Sequence, residues 1–276
     1  MSKLILLTGA TGFIGRQILG ALLARQCQVR IVARSPRPEL ESQPGIESVR
    51  VTPDLFDADS DWLADLLLGV DTVIHAAWFV EPGKYLDATD NFHCLEGTMA
   101  MARAAARQGV SKFVGLGTCF EYALGDQYLD TNSPLQPSTL YAAAKASLFM
   151  ILANWFGLQD IAFAWCRLFY LYGEGEDPRR FVAYLRRQLE HGEPALLSEG
   201  NQVRDFMDVR DAGEKIARVA LEDFQGPLNI CTGQGDTIRN LALNIAREYG
   251  REDLLQFGAR PDNSLDPASL VGNPSL

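Results

Sequence analysis

The sequence predicts an α/β fold: a doubly wound parallel sheet with helices on both faces, followed by a smaller α/β lobe. Three observations carry this. Short apolar runs of strand length alternate with longer helical patterns up to residue 168. The first run, residues 4–7, stops at Gly9, Gly12 and Gly15 and passes straight into a helical pattern. The 276-residue chain is 47% hydrophobic, enough for a large core and for one big domain or two smaller ones.

Each element has its own signal. Residues 4–7 are continuously apolar, as a strand buried on both faces of a parallel sheet requires. The glycines that follow let the backbone turn tightly and leave no side chain between a helix N-terminus and a ligand. Free amides and the helix dipole at that point suit a phosphate. Residues 18–23 continue as helix, and residues 27–33 form a β-branched second strand ending at Arg34. Pro36, Pro38 and Pro44 predict a loop, and residues 49–51 a short third strand leading into Asp54-Leu55-Phe56-Asp57. An amphipathic helix over 62–68 precedes a fourth strand over 71–77. A long alanine-rich helix over 91–108 is closed by Gly109, and a fifth strand spans 112–117. Pro134, Pro137 and Ser138 turn the chain into a helix over 141–156, and residues 161–168 form a sixth strand. Right-handed crossovers then place ligands beyond the carboxyl ends of the strands.

Beyond Gly173 the rhythm changes. An arginine-rich helix over 181–189 and the turn Gly192-Glu193-Pro194 precede a helix over 211–221. A strand over 228–231 and a helix over 238–249 follow. We expect a dinucleotide-binding unit over 1–169, with a return segment near 206–232. The smaller substrate lobe would then comprise 170–205 and 233–276.

Composition excludes several classes. A net charge of -10 argues against a nucleic-acid backbone or an anionic membrane as partner. Cys27, Cys94, Cys119, Cys166 and Cys231 are odd in number and lack CxxC spacing. They read as reduced thiols of a cytoplasmic protein rather than a disulfide frame or zinc site. His75, His93 and His191 show no metal-ligand spacing, so no metal is expected. No run approaches a membrane span.

Tyr141 and Lys145 lie four residues apart on a predicted helix, hence one turn apart on one face. An ammonium near a phenol favours the phenolate, which predicts a Tyr141 pKa lowered toward working pH and a usable acid/base. Thr118, at the end of the fifth strand, can donate to the same substrate oxygen. These features together resemble the short-chain dehydrogenase/reductase superfamily, and its extended form in particular. T-G-A-T-G-F-I-G, Asp54-Leu55, H-A-A at residues 75–77, C-R-L-F-Y-L-Y-G at 166–173 and R-D-F-M-D-V-R-D at 204–211 carry that resemblance.

The resemblance implies a Rossmann fold with Gly9, Thr11, Gly12, Phe13, Ile14 and Gly15 on a cofactor pyrophosphate. It sets Asp54 and Leu55 at the adenine, and Ala76 and Ala77 on the nicotinamide side. Tyr141 would be the acid/base, Lys145 would also bind the nicotinamide ribose, and Thr118 would orient the substrate. Arg204 would grip the diphosphate of a nucleotide-sugar. Glu121 and Tyr170 are further candidates for substrate contact, Tyr170 standing where the family commonly has Asn. Cys94 likewise stands where Asn is usual. A homodimer through the helices over 91–108 and 141–156 is also implied.

Arg34 bears on the cofactor. It lies nineteen residues after Gly15, where an acidic residue would bind the ribose 2′-hydroxyl of NAD. A guanidinium attracts a 2′-phosphate, so NADP(H) is favoured and NAD(H) remains an alternative. Dehydratases of this type carry Asp-Glu directly after the Thr; Cys119-Phe120 here argues against dehydration. The expected reaction is NADPH-dependent reduction of the 4-keto group of a nucleotide-diphospho-(deoxy)sugar. A 4-epimerase is the first alternative, and a non-catalytic NADP-binding sensor or subunit is one of a different class.

Overall fold

The computed structural model describes residues 3–125, 128–261 and 267–276. The chain begins with β1 (Leu4–Thr8), α1 (Phe13–Ala24), β2 (Gln28–Ala33), α2 (Pro38–Glu41) and β3 (Ile46–Val51). It continues through α3 (Ser60–Leu67), β4 (Thr72–His75), α4 (Asp90–Arg107), β5 (Lys112–Thr118), α5 (Leu140–Gly157) and β6 (Ala162–Leu168). Next come β7 (Tyr170–Tyr172), α6 (Phe181–His191), β8 (Ala195–Leu196), β9 (Val203–Arg204) and β10 (Phe206–Asp208). The remainder is α7 (Val209–Leu221), β11 (Gly226–Ile230), β12 (Asp236–Thr237), α8 (Ile238–Tyr249), β13 (Leu255–Gln256) and β14 (Ser269–Leu270).

The central sheet is seven-stranded and parallel, in the order β3-β2-β1-β4-β5-β6-β11. Alternation along β1 shows why the strand is apolar throughout. Ile5 and Leu7 enter a core with α1 and α7, whereas Leu6 enters the opposite core with α3, α4 and α5. This is the expected Rossmann arrangement. Gly213 permits α7 to lie close on α1, since a Cβ there would fall 2.6 Å from the Gln17 Cβ. A third core joins Val182, Leu185 and Leu189 of α6 to Ala242, Ile245 and Ala246 of α8.

Three local differences from the sequence reading have plain causes. The proline-rich segment after β2 contains α2, because Pro38 at a first helical position needs no N–H partner. β4 stops at His75 rather than Ala77, because the Ala77 N–H turns to the Thr8 hydroxyl (3.2 Å) instead of a ladder carbonyl. The expectation that no run approaches a membrane span needs correcting. α5 has 18 residues at mean hydropathy 1.2, long and apolar enough to cross a bilayer by length and composition. Its Ala142, Leu148, Leu152 and Phe156 are buried, the last three in the core shared with α4 and β6.

The closing residues run back through the molecule as β14, parallel to β9. The Asn273 N–H donates to the Leu129 carbonyl (2.8 Å), and Lys215 Nζ donates to the Leu276 carbonyl (2.5 Å).

Candidate active site

The glycine turn after β1 is backbone packed on backbone. Gly9 has φ +69, and a Cβ there would lie 2.8 Å from the Ala77 nitrogen. A Cβ on Gly15 would lie 1.9 Å from the Gly9 carbonyl oxygen. Gly12 caps α1 without a side-chain hydrogen bond, so the first-turn amides of Phe13, Ile14 and Gly15 are left to a ligand or water. Thr11 and Gly12 are exposed beside them. His75 fixes the neighbouring edge. The Thr98 hydroxyl donates to the Cys94 carbonyl (2.7 Å), so it accepts from His75 Nε2 (2.9 Å). His75 Nδ1 then accepts from the Thr8 hydroxyl (2.9 Å), which accepts from Ala77 N–H. Burial drives the His75 pKa down to about 3, with the Lys145 charge adding to it.

At the far end of this edge Arg34 is exposed and has no hydrogen-bond or ion-pair partner among the described residues. Asp54 accepts from Phe56 N–H (2.8 Å) and meets His93 Nε2 at 3.1 Å, while Leu55 packs on the core beside α3. Asp57 joins them, so ligand atoms of Asp54, Asp57 and His93 lie within 4.8 Å of one another. Sequence spacing could not show this trio; in the structure it is a partly exposed cluster in which His93 Nε2 meets both carboxylates. An uncapped helix start, a glycine cradle with no room for a Cβ at Gly15, and a free guanidinium after β2 together fit a dinucleotide phosphate.

Thr118, Tyr141 and Lys145 are brought together beyond β5. Thr139 caps α5 by accepting from Ala142 N–H (3.2 Å), which starts the helix where Tyr141 meets β5. The Thr118 hydroxyl sits beside the Tyr141 phenol and favours its ionised form. Lys145 is buried, its Nζ donating to the Leu116 carbonyl (2.7 Å) and lying 3.7 Å from the Trp78 ring centroid. The pKa expectation for Tyr141 is corrected here. Burial pushes the phenol up, Tyr85, Glu121 and Cys119 add to the rise, and the Thr118 hydroxyl only opposes it. Burial also lowers Lys145 to about 7, against the Glu121 charge. Dehydration outweighs the Coulomb attraction that the spacing suggested.

Glu121 is likewise corrected as a substrate contact. It is 0% exposed, and its carboxylate accepts from Thr118 N–H (2.8 Å), Trp165 Nε1 (3.0 Å) and Arg167 Nε (2.7 Å). Arg167 NH1 donates to the Tyr122 hydroxyl (3.0 Å), which donates to Asn229 Oδ1 (2.7 Å). Glu121 therefore holds the Thr118 turn from inside. Arg204 is 1% exposed, with NH1 donating to the Val203 carbonyl (2.8 Å) and its guanidinium 5.5 Å from the Tyr170 ring. Tyr170 stands edge-on to Phe120 (6.2 Å between centroids) and beside Phe206 (5.5 Å).

A groove of about 590 Å³ opens between α6, β8 and the start of α8, lined among others by Phe181, Tyr184, Arg187, Leu196 and Arg260. Arg260 lies 4.9 Å and Arg187 6.0 Å from the Tyr184 ring. The sequence reading named none of these as site residues, though the arginine-rich pattern of α6 was the available signal.

The profile of the NAD dependent epimerase/dehydratase family matches residues 5–231. The chain belongs to that family. Among curated relatives, the dTDP-6-deoxy-L-talose 4-dehydrogenase (NAD(+)) of Aggregatibacter actinomycetemcomitans is 23% identical, over 97% of this chain and 98% of its own. The dTDP-6-deoxy-L-talose 4-dehydrogenase (NAD(P)(+)) of Kitasatospora kifunensis is 28% identical, over 88% of this chain and 78% of its own. Among solved structures, the UDP-N-acetylglucosamine 4-epimerase of Methanobrevibacter ruminantium superposes with a TM-score of 0.87 at 23% identity. It covers 99% of this chain and 90% of its own. The chain is of the extended short-chain dehydrogenase/reductase type, whose relatives here include NAD(+)- and NAD(P)(+)-linked 4-dehydrogenases and a 4-epimerase.

Proposed function

We propose that the chain reduces the 4-keto group of a nucleotide-diphospho-(deoxy)sugar with NADPH, Tyr141 acting as proton donor. The observation that carries this is Thr118 at the end of β5 beside the Tyr141 phenol, with Lys145 one turn along α5. In this reading Gly9, Thr11, Gly12, Phe13, Ile14 and Gly15 hold the pyrophosphate. Asp54 and Leu55 border the adenine, Ala76 and Ala77 the nicotinamide side. Arg34 holds the 2′-phosphate. The nicotinamide supplies a hydride when bound. Thr118 orients the carbonyl oxygen, and Tyr141 gives its phenolic proton to that oxygen as the alcohol forms. A phenol whose pKa is raised keeps its proton across the neutral range, which suits the reducing direction better than the oxidising one. Arg187 and Arg260, without carboxylate partners among the described residues, suit the nucleoside diphosphate in the groove. Arg204, which the resemblance set on that diphosphate, is buried with its guanidinium over the Tyr170 ring, so in this reading it backs Tyr170 instead. Exposed Phe92 of α4 and Met150 and Ile151 of α5 suit a homodimer through those helices.

Purified protein mixed with NADPH and a panel of nucleotide-4-ketosugars tests the reading. One reduced nicotinamide should disappear per carbonyl consumed. Inversion of a 4-hydroxysugar without net loss of absorbance would instead establish the epimerase, which relatives of that activity keep in view. Finding neither turnover of a carbonyl nor inversion of a 4-hydroxysugar would sink both readings. Tyr141→Phe is expected to lower turnover by about a thousandfold while NADPH affinity stays within about twofold.

A further inference from the structure

Asn91, on the first turn of α4, is fully buried, and its amide is used three ways. Oδ1 accepts from Trp78 Nε1 (2.9 Å), and Nδ2 donates to the carbonyls of Tyr85 (2.7 Å) and Ala88 (2.9 Å). The indole so held presents its ring to Lys145 Nζ at 3.7 Å. The segment so held backs Tyr141. The Tyr85 ring meets the Tyr141 ring at 4.9 Å and 85°, and the Leu86 carbonyl accepts from Tyr141 N–H (2.8 Å). One buried amide thus fixes what touches both Lys145 and Tyr141.

A side chain that only tied down residues 85–88 would need its two donors and nothing more. The acceptor aimed at Trp78, and the ring laid on a buried ammonium, are what a loop anchor leaves unexplained. We propose that Asn91 and Trp78 form a positioning pair: Asn91 holds the indole, and the indole holds the Lys145 ammonium charged and in place for Tyr141. This rests on the reading that Lys145 is a working group of the site.

The charged and titratable groups facing Lys145 are few. Glu121 lies on the turn after β5, Cys94 on α4, His75 on β4, and Tyr141 on its own helix. Glu121 is already bound by Arg167 and His75 is held neutral, so the indole face is the contact at Nζ that can be removed without changing a charge. A π face favours the ammonium over the amine and so opposes the burial that lowers Lys145.

The test is a direct titration that needs no substrate. Protein carrying 13C at the lysine ε-carbon is followed by NMR against pH, the Lys145 signal being assigned with Lys145→Arg. Trp78→Leu is expected to move the Lys145 midpoint to lower pH by about one unit, the scale of a desolvated cation–π contact. Trp78→Phe keeps a ring but loses the N–H that Asn91 holds, and moves it less. Asn91→Ser leaves the indole unheld and moves the midpoint in the same direction. An unmoved midpoint in Trp78→Leu, with native circular dichroism, overturns the proposal. Should Trp78→Leu not fold, unmoved midpoints in Trp78→Phe and Asn91→Ser overturn it equally. A ketosugar panel without turnover would end the reaction reading yet leave the displaced midpoint intact, so the two failures separate.

Discussion

At the end of β1 the chain turns on three glycines, and a Cβ on Gly15 would sit 1.9 Å from a carbonyl oxygen. At the end of β5 it turns on residues 118–121, and what fills the space beneath is a carboxylate bound to an indole and a guanidinium. Both turns meet the same edge of the sheet. One is shaped by side chains that are missing, the other by charged side chains taken wholly out of water. The first presents backbone amides, which no titration can switch off. The second presents a hydroxyl and a phenol, whose behaviour depends on the charges buried behind them. A site that holds a phosphate at any pH and moves a proton at one pH, as proposed above, would be well served by that division.

Breaking the buried pair should have the largest effect. Arg167→Met strands the Glu121 carboxylate and is expected to cost about 3–5 kcal/mol of stability in urea denaturation. The double variant E121Q/R167M should recover at least about 1 kcal/mol of that loss, since no buried charge is left alone. At the glycine turn, Gly15→Ala should cost about 3 kcal/mol by the same measurement, and Gly12→Ala, whose Cβ would stand 3.2 Å from Gly9 O, nearer 1 kcal/mol. A reversed order would mean that the turn relaxes more easily than its packing suggests.

The bridge between the two regions is His75, whose folded pKa of about 3 lies below the ordinary value of 6.5. The unfolded chain therefore takes up the proton first, and stability falls as pH drops below the unfolded value toward the folded one. Between pH 6.5 and pH 5 the loss from this group should be roughly 1.5 kcal/mol, and His75→Gln should flatten that part of the curve. The last expected effect is at the cofactor edge, and it is a difference in affinity rather than in stability. Arg34→Asp should weaken NADPH about tenfold more than NADH in a fluorescence titration, and equal weakening would count against a 2′-phosphate at Arg34.

The glycine turn was legible in sequence because its causes are local: strand, glycines and helix follow one another within a dozen residues. The first six strands were legible for the same reason, each being a short apolar run bounded by its own turn and helix. The turn after β5 was not. Glu121, Trp165, Arg167 and Asn229 are scattered over more than a hundred positions, and nothing in Glu121 itself says which way it points. The same holds for the Tyr141 phenol, since a spacing of four residues shows that two groups share a helix face but not how much water either retains. Asn91 and Trp78 went unnoticed because their partners are a backbone segment and a lysine met only in three dimensions.

Gly213 has a mechanical consequence. With no side chain between them, α7 and α1 are pressed together along their length, so the helix that starts at the glycine turn and the helix that follows Arg204 behave as one beam. β10 runs directly into the N-cap Asp208 of that beam. The paired strands β7 and β10 end at Tyr172 and Asp208 at the start of that beam, beside Gly173, where φ is +133. A methyl group at position 213 would work as a wedge, loosening the glycine turn and the end of β10 in a single stroke.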